Sequence, residues 1–383
     1  MSRRYPETDK VYPSEQQGML SIQDMLIRFE KEGTTRLSDL HLKVGAPPTY
    51  RMDGELVKLK GPDVTPEMAK QLIYPMLSDE NLQKFQSGFR SLLGNSSVDC
   101  SYTLGQVQFR INVFQENDGL AAAIRALPMD IPPVESIGFP SDVWKDIIDL
   151  KQGLVLVTGI TGAGKSTTIA SLLDRINQTE ASRIITLEDP IEFHFTQKKS
   201  MISQREVGKD VKSFQEGLRA MLREDPDVIF VGEMRDAETV AMTIMAAETG
   251  HLAFSTLHTR DSIGTIMRIT DYFPAERQNE VRNQLSLGLA YIINQKLIPR
   301  KDGTGRACVM EILNNSNYAC SNLIRNGKVE QIYSQLQIKT GNKVDEKMIT
   351  MEKHLTMLVK QGKVELEEAK KWVNNPSEFR MDR

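Results

Sequence analysis

The 383-residue chain is longer than one ordinary domain and suits two, and its 40% hydrophobic and 26% charged residues exclude a disordered protein. The net charge of −3 argues against a nucleic-acid-binding protein, because such proteins use a basic surface to displace counterions from phosphates. Three widely spaced cysteines form neither a disulfide framework nor a zinc-ligand pattern, and no apolar run approaches the ~20 residues of a membrane span, so we expect a cytoplasmic protein that reaches a membrane only through a partner.

The chain is predicted to begin with a flexible tail. Residues 1–18 are polar and show no periodicity, so little apolar burial is available to offset the entropy of ordering them. Apolar residues at helical spacing then begin at Met19 and continue to Phe29, which predicts a helix.

A small α+β domain is predicted for residues 19–128. Its strand signals include residues 107–114 and 121–127, where side chains alternate between two faces. Prolines recur in residues 129–140 and prevent a helix or a central strand there. We therefore predict that this segment is the linker between two domains.

Residues 141–383 are predicted to form a second domain of the α/β class. Short β-branched runs alternate with helical patterns, as in a parallel sheet covered by helices. A capping box from Ser213 to Glu216 predicts the start of one of these helices. The predicted strands are residues 154–157, 184–187, 228–231 and 252–257.

The strongest chemical signal is the segment GITGAGKS at residues 159–166, which matches the phosphate-binding pattern G-x-x-x-x-G-K-S/T. It stands between a predicted strand and a predicted helix, as this pattern requires, so a glycine turn that binds nothing is the weaker interpretation. Backbone N–H groups and Lys165 are expected to hold ATP phosphates, and the Ser166 hydroxyl is expected to ligate Mg²⁺. The residues predicted to bind the nucleotide are Gly159, Ile160, Thr161, Gly162, Ala163, Gly164, Lys165, Ser166 and Thr167.

Acidic residues follow two other predicted strands. Glu233 comes after residues 228–231 and could hold Mg²⁺ through water, although an ordinary glutamate at a strand end is an alternative interpretation. The segment LEDPIE at residues 187–192 carries three carboxylates, one of which could orient a water molecule. Taken alone, an acidic solvent-exposed turn explains this segment equally well.

Short motifs follow one another along the second domain. They are GITGAGKS (159–166), LEDPIEF (187–193), QREVG (204–208), REDPD (223–227), GEMRD (232–236), AETGH (247–251) and TLHT (256–259). In this order they resemble the type II/IV secretion ATPase superfamily, and most of all its PilT/PilU branch of twitching-motility retraction ATPases. SDLHL (38–42) and FRIN (109–112) resemble the N-terminal domain of that family, so the resemblance covers nearly the whole chain.

The resemblance implies a PAS-like N-terminal domain joined to a RecA-like ATPase domain, assembled as a hexamer. It also implies roles for single residues. Glu192 would be the general base that polarises water, and Glu233 an atypical Walker B acid. His258 would lie near the γ-phosphate as a sensor, with His251 beside it at the nucleotide. Without the family, each histidine would be interpreted as a structural residue.

Two arginines of the N-terminal domain also match arginines of the family. Phosphoryl transfer develops charge on the phosphate oxygens, so a motor ATPase benefits from arginines delivered when domains close. Arg110 and Arg125 lie on neighbouring predicted strands and are the candidates for this role. Without the family, both would be interpreted as solvated charges on strands.

The resemblance further implies Mg²⁺-dependent ATP hydrolysis that powers type IV pilus retraction, with an inner-membrane pilus platform protein and a sister retraction ATPase as partners. The chain would be peripheral at the inner face of the cytoplasmic membrane. Residues 319–326 retain the retraction signature of the PilT enzymes only in part, and residues 297–306 and 375–382 resemble the accessory PilU side. Alternatives are an ATP-binding coupling or regulatory subunit for a sister ATPase, and a secretion or pilus-assembly ATPase.

Overall fold

The computed structural model describes residues 6–34, 36–52, 55–90, 97–105, 107–127, 130–337 and 347–379. Contacts between Cα atoms divide the chain into two compact units, Met1–Asp130 and Ile131–Arg383. Parts of the predicted tail, of the predicted first domain, of the predicted linker and of the C-terminal segment that resembles PilU fall outside the described residues. These parts are residues 1–5, 53–54, 128, 129 and 380–382.

The first unit is built on an antiparallel sheet. In its described residues the sheet has six strands in the order β5-β4-β3-β8-β7-β6. The strands of this unit are β1 Tyr12–Ser14, β2 Gly18–Leu20, β3 Leu37–Lys43, β4 Thr49–Met52, β5 Glu55–Lys58, β6 Ser97–Leu104, β7 Val107–Glu116 and β8 Gly119–Ala126. Its helices are α1 Ile22–Glu32, α2 Pro66–Ile73 and α3 Asp79–Arg90, with a 3-10 turn at Tyr74–Met76.

Helix α1 starts at a reciprocal cap. The Ser21 hydroxyl accepts a hydrogen bond from the Asp24 backbone, and the Asp24 carboxylate accepts one from the Ser21 backbone. The predicted helix start at Met19 is therefore too early, because Met19 lies in β2 and is exposed. Farther along α1, Phe29 packs edge-on against Phe109 of the sheet with ring centroids 5.2 Å apart.

The predicted flexible tail of residues 1–18 differs from the structure at its C-terminal end. β1 pairs antiparallel with β2, and Tyr12 is fully buried in the hydrophobic core of the first unit. The Tyr12 hydroxyl donates to the Pro62 carbonyl oxygen at 3.0 Å. The pairing with β2 and the burial of this ring with its hydroxyl bonded offset the entropy of ordering the segment, although its neighbours are polar.

The second unit is built on a mostly parallel sheet. In its described residues the sheet has seven strands in the order β11-β10-β12-β13-β9-β14-β15, of which only β15 runs antiparallel to its neighbour. The strands are β9 Gly153–Thr158, β10 Arg183–Glu188, β11 Met201–Glu206, β12 Val228–Val231, β13 Leu252–Leu257, β14 Leu289–Pro299 and β15 Arg306–Asn314. The four strands predicted from the sequence are β9, β10, β12 and β13, each within one residue of its predicted ends.

Helices cover this sheet, and its central strands are buried throughout. Helix α6 begins after Ser213, whose hydroxyl accepts from the Glu216 backbone as predicted. The helices are α4 Val143–Asp149, α5 Lys165–Thr179, α6 Phe214–Met221, α7 Ala237–Glu248, α8 Ser262–Asp271, α9 Ala275–Gly288, α10 Tyr318–Arg325, α11 Ile332–Gln337, α12 Met351–Lys360 and α13 Leu366–Lys370. Short 3-10 turns lie at Val134–Ser136, Val329–Gln331 and Pro376–Glu378.

The parallel strands β9, β10, β12 and β13 all end at one edge of the sheet. In such sheets the loops that leave the carboxyl ends of the strands usually form the binding site. The candidate site therefore lies at this carboxyl edge of the second unit.

Within the described ranges, no helix has the length and hydropathy to cross a membrane.

Candidate active site

The loop between β9 and α5 begins at Gly159 and ends at Gly164. Gly164 has a left-handed φ of +86°, which glycine adopts without strain. A Cβ on Gly159 would lie 2.4 Å from the Gln295 carbonyl oxygen, so only glycine fits there. Helix α5 then begins at Lys165, and its unpaired first N–H groups face the loop. Strand, loop and helix lie where the sequence predicts them.

The Lys165 side chain lies against this loop. Its Nζ donates to the carbonyl oxygens of Gly159 at 3.0 Å and Ile160 at 3.3 Å. Burial lowers the pKa of Lys165, and the charges of Glu233 and Glu192 oppose that effect. Among the residues that the structure describes, Lys165 forms no ion pair within 4 Å. The loop thus presents a buried ammonium group, which suits an anionic ligand.

The other residues predicted to bind the nucleotide belong to the same loop or to the first turn of α5. Ile160 is 51% exposed, and Ser166 and Thr167 are half-buried. The full set that the loop and helix bring together is Gly159, Ile160, Thr161, Gly162, Ala163, Gly164, Lys165, Ser166 and Thr167.

Glu233 and His258 follow the neighbouring strands β12 and β13 and lie beside Lys165. His258 Nδ1 is 3.5 Å from Lys165 Nζ, and His258 Nε2 is 3.4 Å from Glu233 Oε1. Arg235 Nε donates to Glu233 Oε2 at 2.7 Å. Burial and then the charge of Lys165 lower the pKa of His258, which favours the neutral form of its imidazole. A neutral ring can accept or donate a hydrogen bond without adding charge.

A buried carboxyl group lies beneath Glu192. Glu188 Oε1 accepts a hydrogen bond from the Thr186 hydroxyl at 2.7 Å, and Glu188 Oε2 accepts one from the Glu192 backbone at 3.4 Å. Burial raises the pKa of Glu188 to about 7, although these hydrogen bonds act in the opposite direction. Glu192 itself is half-buried and close enough to act on the charge of Lys165. Of the three carboxylates in LEDPIE, Glu188 therefore accepts a hydrogen bond from the backbone, and the charge of Glu192 acts on Lys165.

The sequence interpretation did not assign roles to Glu188 or Arg235. Glu188 was visible only as one carboxylate of an acidic run, and its burial follows from its position at the end of a central strand. Arg235 stands two residues after Glu233, and its Nη1 lies 3.4 Å from Asp189 Oδ2. The arginine thus links the segments that carry Glu233 and Glu192, a contact across 46 residues of chain.

Oxygen ligands suited to Mg²⁺ are present beside the loop. Ser166 contributes a hydroxyl, and the Glu233 side chain is 23% exposed. Mg²⁺ usually combines one or two such ligands with phosphate oxygens and water. Within the described part of the chain, no group of three or more His, Cys, Asp or Glu side chains could hold a metal. The residues therefore fit Mg²⁺ held together with a nucleotide better than an all-protein metal site.

His251 lies far from this site within the chain. It precedes β13, and its carbonyl oxygen accepts a hydrogen bond from Gly153 at the start of β9. Its Nδ1 is 2.9 Å from the Ala246 carbonyl oxygen. A six-residue strand separates this end of β13 from the edge that carries His258. The prediction that His251 lies beside His258 is therefore wrong within the chain, because the two histidines mark opposite ends of one strand.

Arg110 and Arg125 lie in the first unit. They are direct cross-strand partners on β7 and β8, and both are exposed. Arg125 Nε donates to Asp39 Oδ1 at 2.7 Å, while Asp39 is nearly buried. The structure therefore places the two arginines side by side on one surface of the first unit.

The chain is similar to known proteins over most of its length. The family described as Type II/IV secretion system protein matches residues 35–379. The type IV pilus retractation ATPase PilT of Pseudomonas aeruginosa is 41% identical over 94% of this chain and the whole of that protein. The type IV pilus ATPase PilU of the same organism is 31% identical over 90% of this chain and 87% of that protein.

A solved structure is also similar over nearly the whole chain. The crystal structure of the pilus retraction motor PilT with bound ADP has a TM-score of 0.83 and 47% identity, and covers 94% of this chain and 98% of that chain. The predicted fold class, with a PAS-like first domain and a RecA-like ATPase domain, is confirmed, as is the predicted enzyme class, an ATPase. The chain belongs to the type II/IV secretion system protein family.

Proposed function

We propose that this chain is an Mg²⁺-dependent ATPase that works as the motor of type IV pilus retraction and twitching motility. One observation carries the proposal: the Lys165 ammonium lies against the glycine loop at the start of helix α5, and the charges of Glu233 and Glu192 act on it. A glycine loop, a lysine and a helix N-terminus together form a binding site for phosphates.

Each residue of the site then has a part in hydrolysis. Lys165 and the loop N–H groups bind the phosphates, and Ser166 ligates Mg²⁺, with Glu233 holding it through water. Bound Mg²⁺ supplies positive charge that neutralises the phosphate oxygens. Glu192 accepts a hydrogen bond from the attacking water and orients it. His258, between Lys165 and Glu233, is suited to sense whether a γ-phosphate is present.

The first unit contributes through Arg110 and Arg125. Guanidinium groups stabilise the charge that develops on phosphate oxygens in the transition state, but only when they reach the site. We propose that they do so when the domains of a homo-hexamer close, and that this movement is the mechanical step. The exposure of both side chains on one surface supports this role.

The biological output is proposed from the relatives. The PilT protein is matched over its whole length at 41% identity, which favours pilus retraction over secretion. The motor would act in the cytoplasm, at the inner face of the membrane, on a pilus platform protein of the inner membrane. An accessory role beside a sister ATPase is the second candidate, since PilU is also matched over most of its length, at 31% identity.

A steady-state ATPase assay tests the proposal. The purified full chain is compared with Glu192→Gln, which keeps the size of the side chain and removes its basicity. We expect Mg²⁺-dependent turnover by the wild type and a loss of about a hundredfold or more in the variant, with Mg-ATP binding retained. Mg-ATP binding without turnover by the wild type would support the coupling subunit, and absence of binding would refute both candidates.

Two further measurements narrow the function. Native mass spectrometry with and without Mg-ATP tests the hexamer. Added DNA should leave the ATPase rate unchanged, because the net charge of −3 provides no general basic surface.

A further inference from the structure

A buried glutamine on β14 contacts the nucleotide loop. β14 runs parallel beside β9, with Asn294 level with Thr158. The next residue, Gln295, is 1% exposed, and its backbone carbonyl lies against Gly159 at the start of the loop. Gln295 belongs to none of the sequence motifs that predicted the site.

The carboxamide of Gln295 joins the end of the loop to helix α5. Its Nε2 donates to the Ala163 carbonyl oxygen at 2.6 Å, and its Oε1 accepts from the Thr168 hydroxyl at 2.9 Å. A Cβ added to Gly164 would lie 3.2 Å from the same Nε2, so the loop and the carboxamide are in close contact. Both hydrogen bonds are buried, where an unsatisfied partner is costly.

The bond to Ala163 also sets the direction of the next backbone N–H. The C=O and N–H of one planar trans peptide point in opposite directions. With the Ala163 carbonyl held towards Gln295, the N–H of Gly164 points away from Gln295. Among the residues that the structure describes, this N–H makes no backbone hydrogen bond. It is therefore available to a phosphate oxygen on the other side of the loop.

We propose that Gln295 is a positioning residue that holds the loop in its phosphate-binding conformation. It acts through Ala163 and Thr168 and does not touch the nucleotide. The inference rests on the proposed function, in which the loop around Lys165 binds Mg-ATP. Phosphates are bound in the ground state as well as in the transition state, so the loss of Gln295 raises KM more than it lowers kcat.

Calorimetric titration of the purified full chain with Mg-ADP tests this inference. Gln295→Leu keeps the volume and removes both hydrogen bonds. The matched control is Asn315→Leu, because the Asn315 carboxamide is also buried and donates to two carbonyl oxygens, those of Ser286 and Leu289, each at 3.0 Å. Both variants lose stability in urea, but we expect only Gln295→Leu to bind Mg-ADP about tenfold or more weakly than the wild type.

Gln295→Glu separates positioning from a general loss of packing. Its carboxylate places an oxygen against the Ala163 carbonyl oxygen, whereas the protonated acid can donate a hydrogen bond again. Affinity for Mg-ADP should be weak near pH 8 and recover as the pH falls towards about 6, and Gln295→Leu should show no such recovery.

The inference is wrong if Gln295→Leu binds Mg-ADP within about twofold of the wild type, or if Asn315→Leu weakens binding as much. A wild type that binds no Mg-ADP or Mg-ATP would instead overturn the proposed function itself. The two failures are thus distinguished in one series of titrations.

Discussion

The Nε2 atom of His258 lies 3.4 Å from the Oε1 atom of Glu233, although the two residues leave different strands of the sheet. β12 and β13 are parallel neighbours, so residues just beyond their carboxyl ends meet. The other nitrogen of the same ring faces Lys165 at 3.5 Å. The imidazole therefore connects the proposed metal-binding acid with the proposed phosphate-binding lysine.

Replacement of His258 by Gln should lower kcat. The ring bridges two charged groups of the site, and loss of one positioned hydrogen-bonding group typically slows an enzyme by about ten- to a hundredfold. The matched control is His251→Gln, because His251 lies at the other end of β13 and should leave kcat unchanged. Steady-state ATPase assays of both variants check this prediction. Equal losses of kcat would show that His251 also acts at the site.

Replacement of Arg110 or Arg125 by Gln should reduce ATP turnover about a hundredfold while leaving nucleotide affinity nearly unchanged. The control is Arg51→Gln. Arg51 and Arg125 both contact Asp39, at 3.9 and 2.7 Å, but only Arg125 is proposed to reach a nucleotide. Arg110→Gln should change stability by less than about 1 kcal/mol because its side chain is exposed, whereas Arg125→Gln takes a partner from the buried Asp39 carboxylate and should cost about 1–3 kcal/mol. If Arg51→Gln slows ATP turnover equally, the loss comes from the disturbance of Asp39 and the sheet, and the proposed contact of Arg125 with the nucleotide is contradicted.

Replacement of Gly159 by Ala should abolish nucleotide binding and destabilise the fold. A Cβ there would lie 2.4 Å from a backbone oxygen at a φ of +144°, so the loop must move, at a cost of about 2–4 kcal/mol. Gly208→Ala is the control, since Gly208 has a φ of +83° but nothing within 4 Å of a Cβ. That variant should lose only about 1–2 kcal/mol, from backbone strain alone. Urea unfolding measures the free energy of unfolding of both variants. Equal losses of stability would contradict the predicted clash at Gly159.

His354 should make stability depend on pH. Its Nδ1 accepts a hydrogen bond from the Met310 backbone at 2.9 Å, and burial lowers its pKa from 6.5 to about 4. Above pH 6.5 the ring is neutral in both states. As the pH falls below that value, only the unfolded chain takes up the proton, and the folded state loses about 2 kcal/mol by pH 5. The difference in the free energy of unfolding between the wild type and His354→Gln should therefore narrow between pH 7.5 and 5. A constant difference would contradict the lowered pKa of His354.

Much of the candidate site was predictable because its motifs are local. A glycine loop between a β-branched strand and a helix specifies its own backbone, so Lys165 and Ser166 were found at the first turn of α5 without tertiary information. Glu233 could be proposed because it follows a predicted strand, although an ordinary glutamate remained an alternative, and the role of His258 came only from the family resemblance. The place of His251 could not be predicted, because the family motif gives its identity but not the end of the strand on which it lies.

The sequence by itself determined the class of the fold, four strands of its main sheet and the chemistry of the phosphate loop, because propensity, periodicity and glycine conformation act over a few neighbouring residues. Only the tertiary structure decided which distant side chains meet that loop. Gln295 reaches Ala163 across 132 residues because β14 pairs with β9, and the Tyr12 ring is buried in the core of the first unit, with its hydroxyl bonded to Pro62, 50 residues away. Such contacts depend on strand order, which no local pattern specifies.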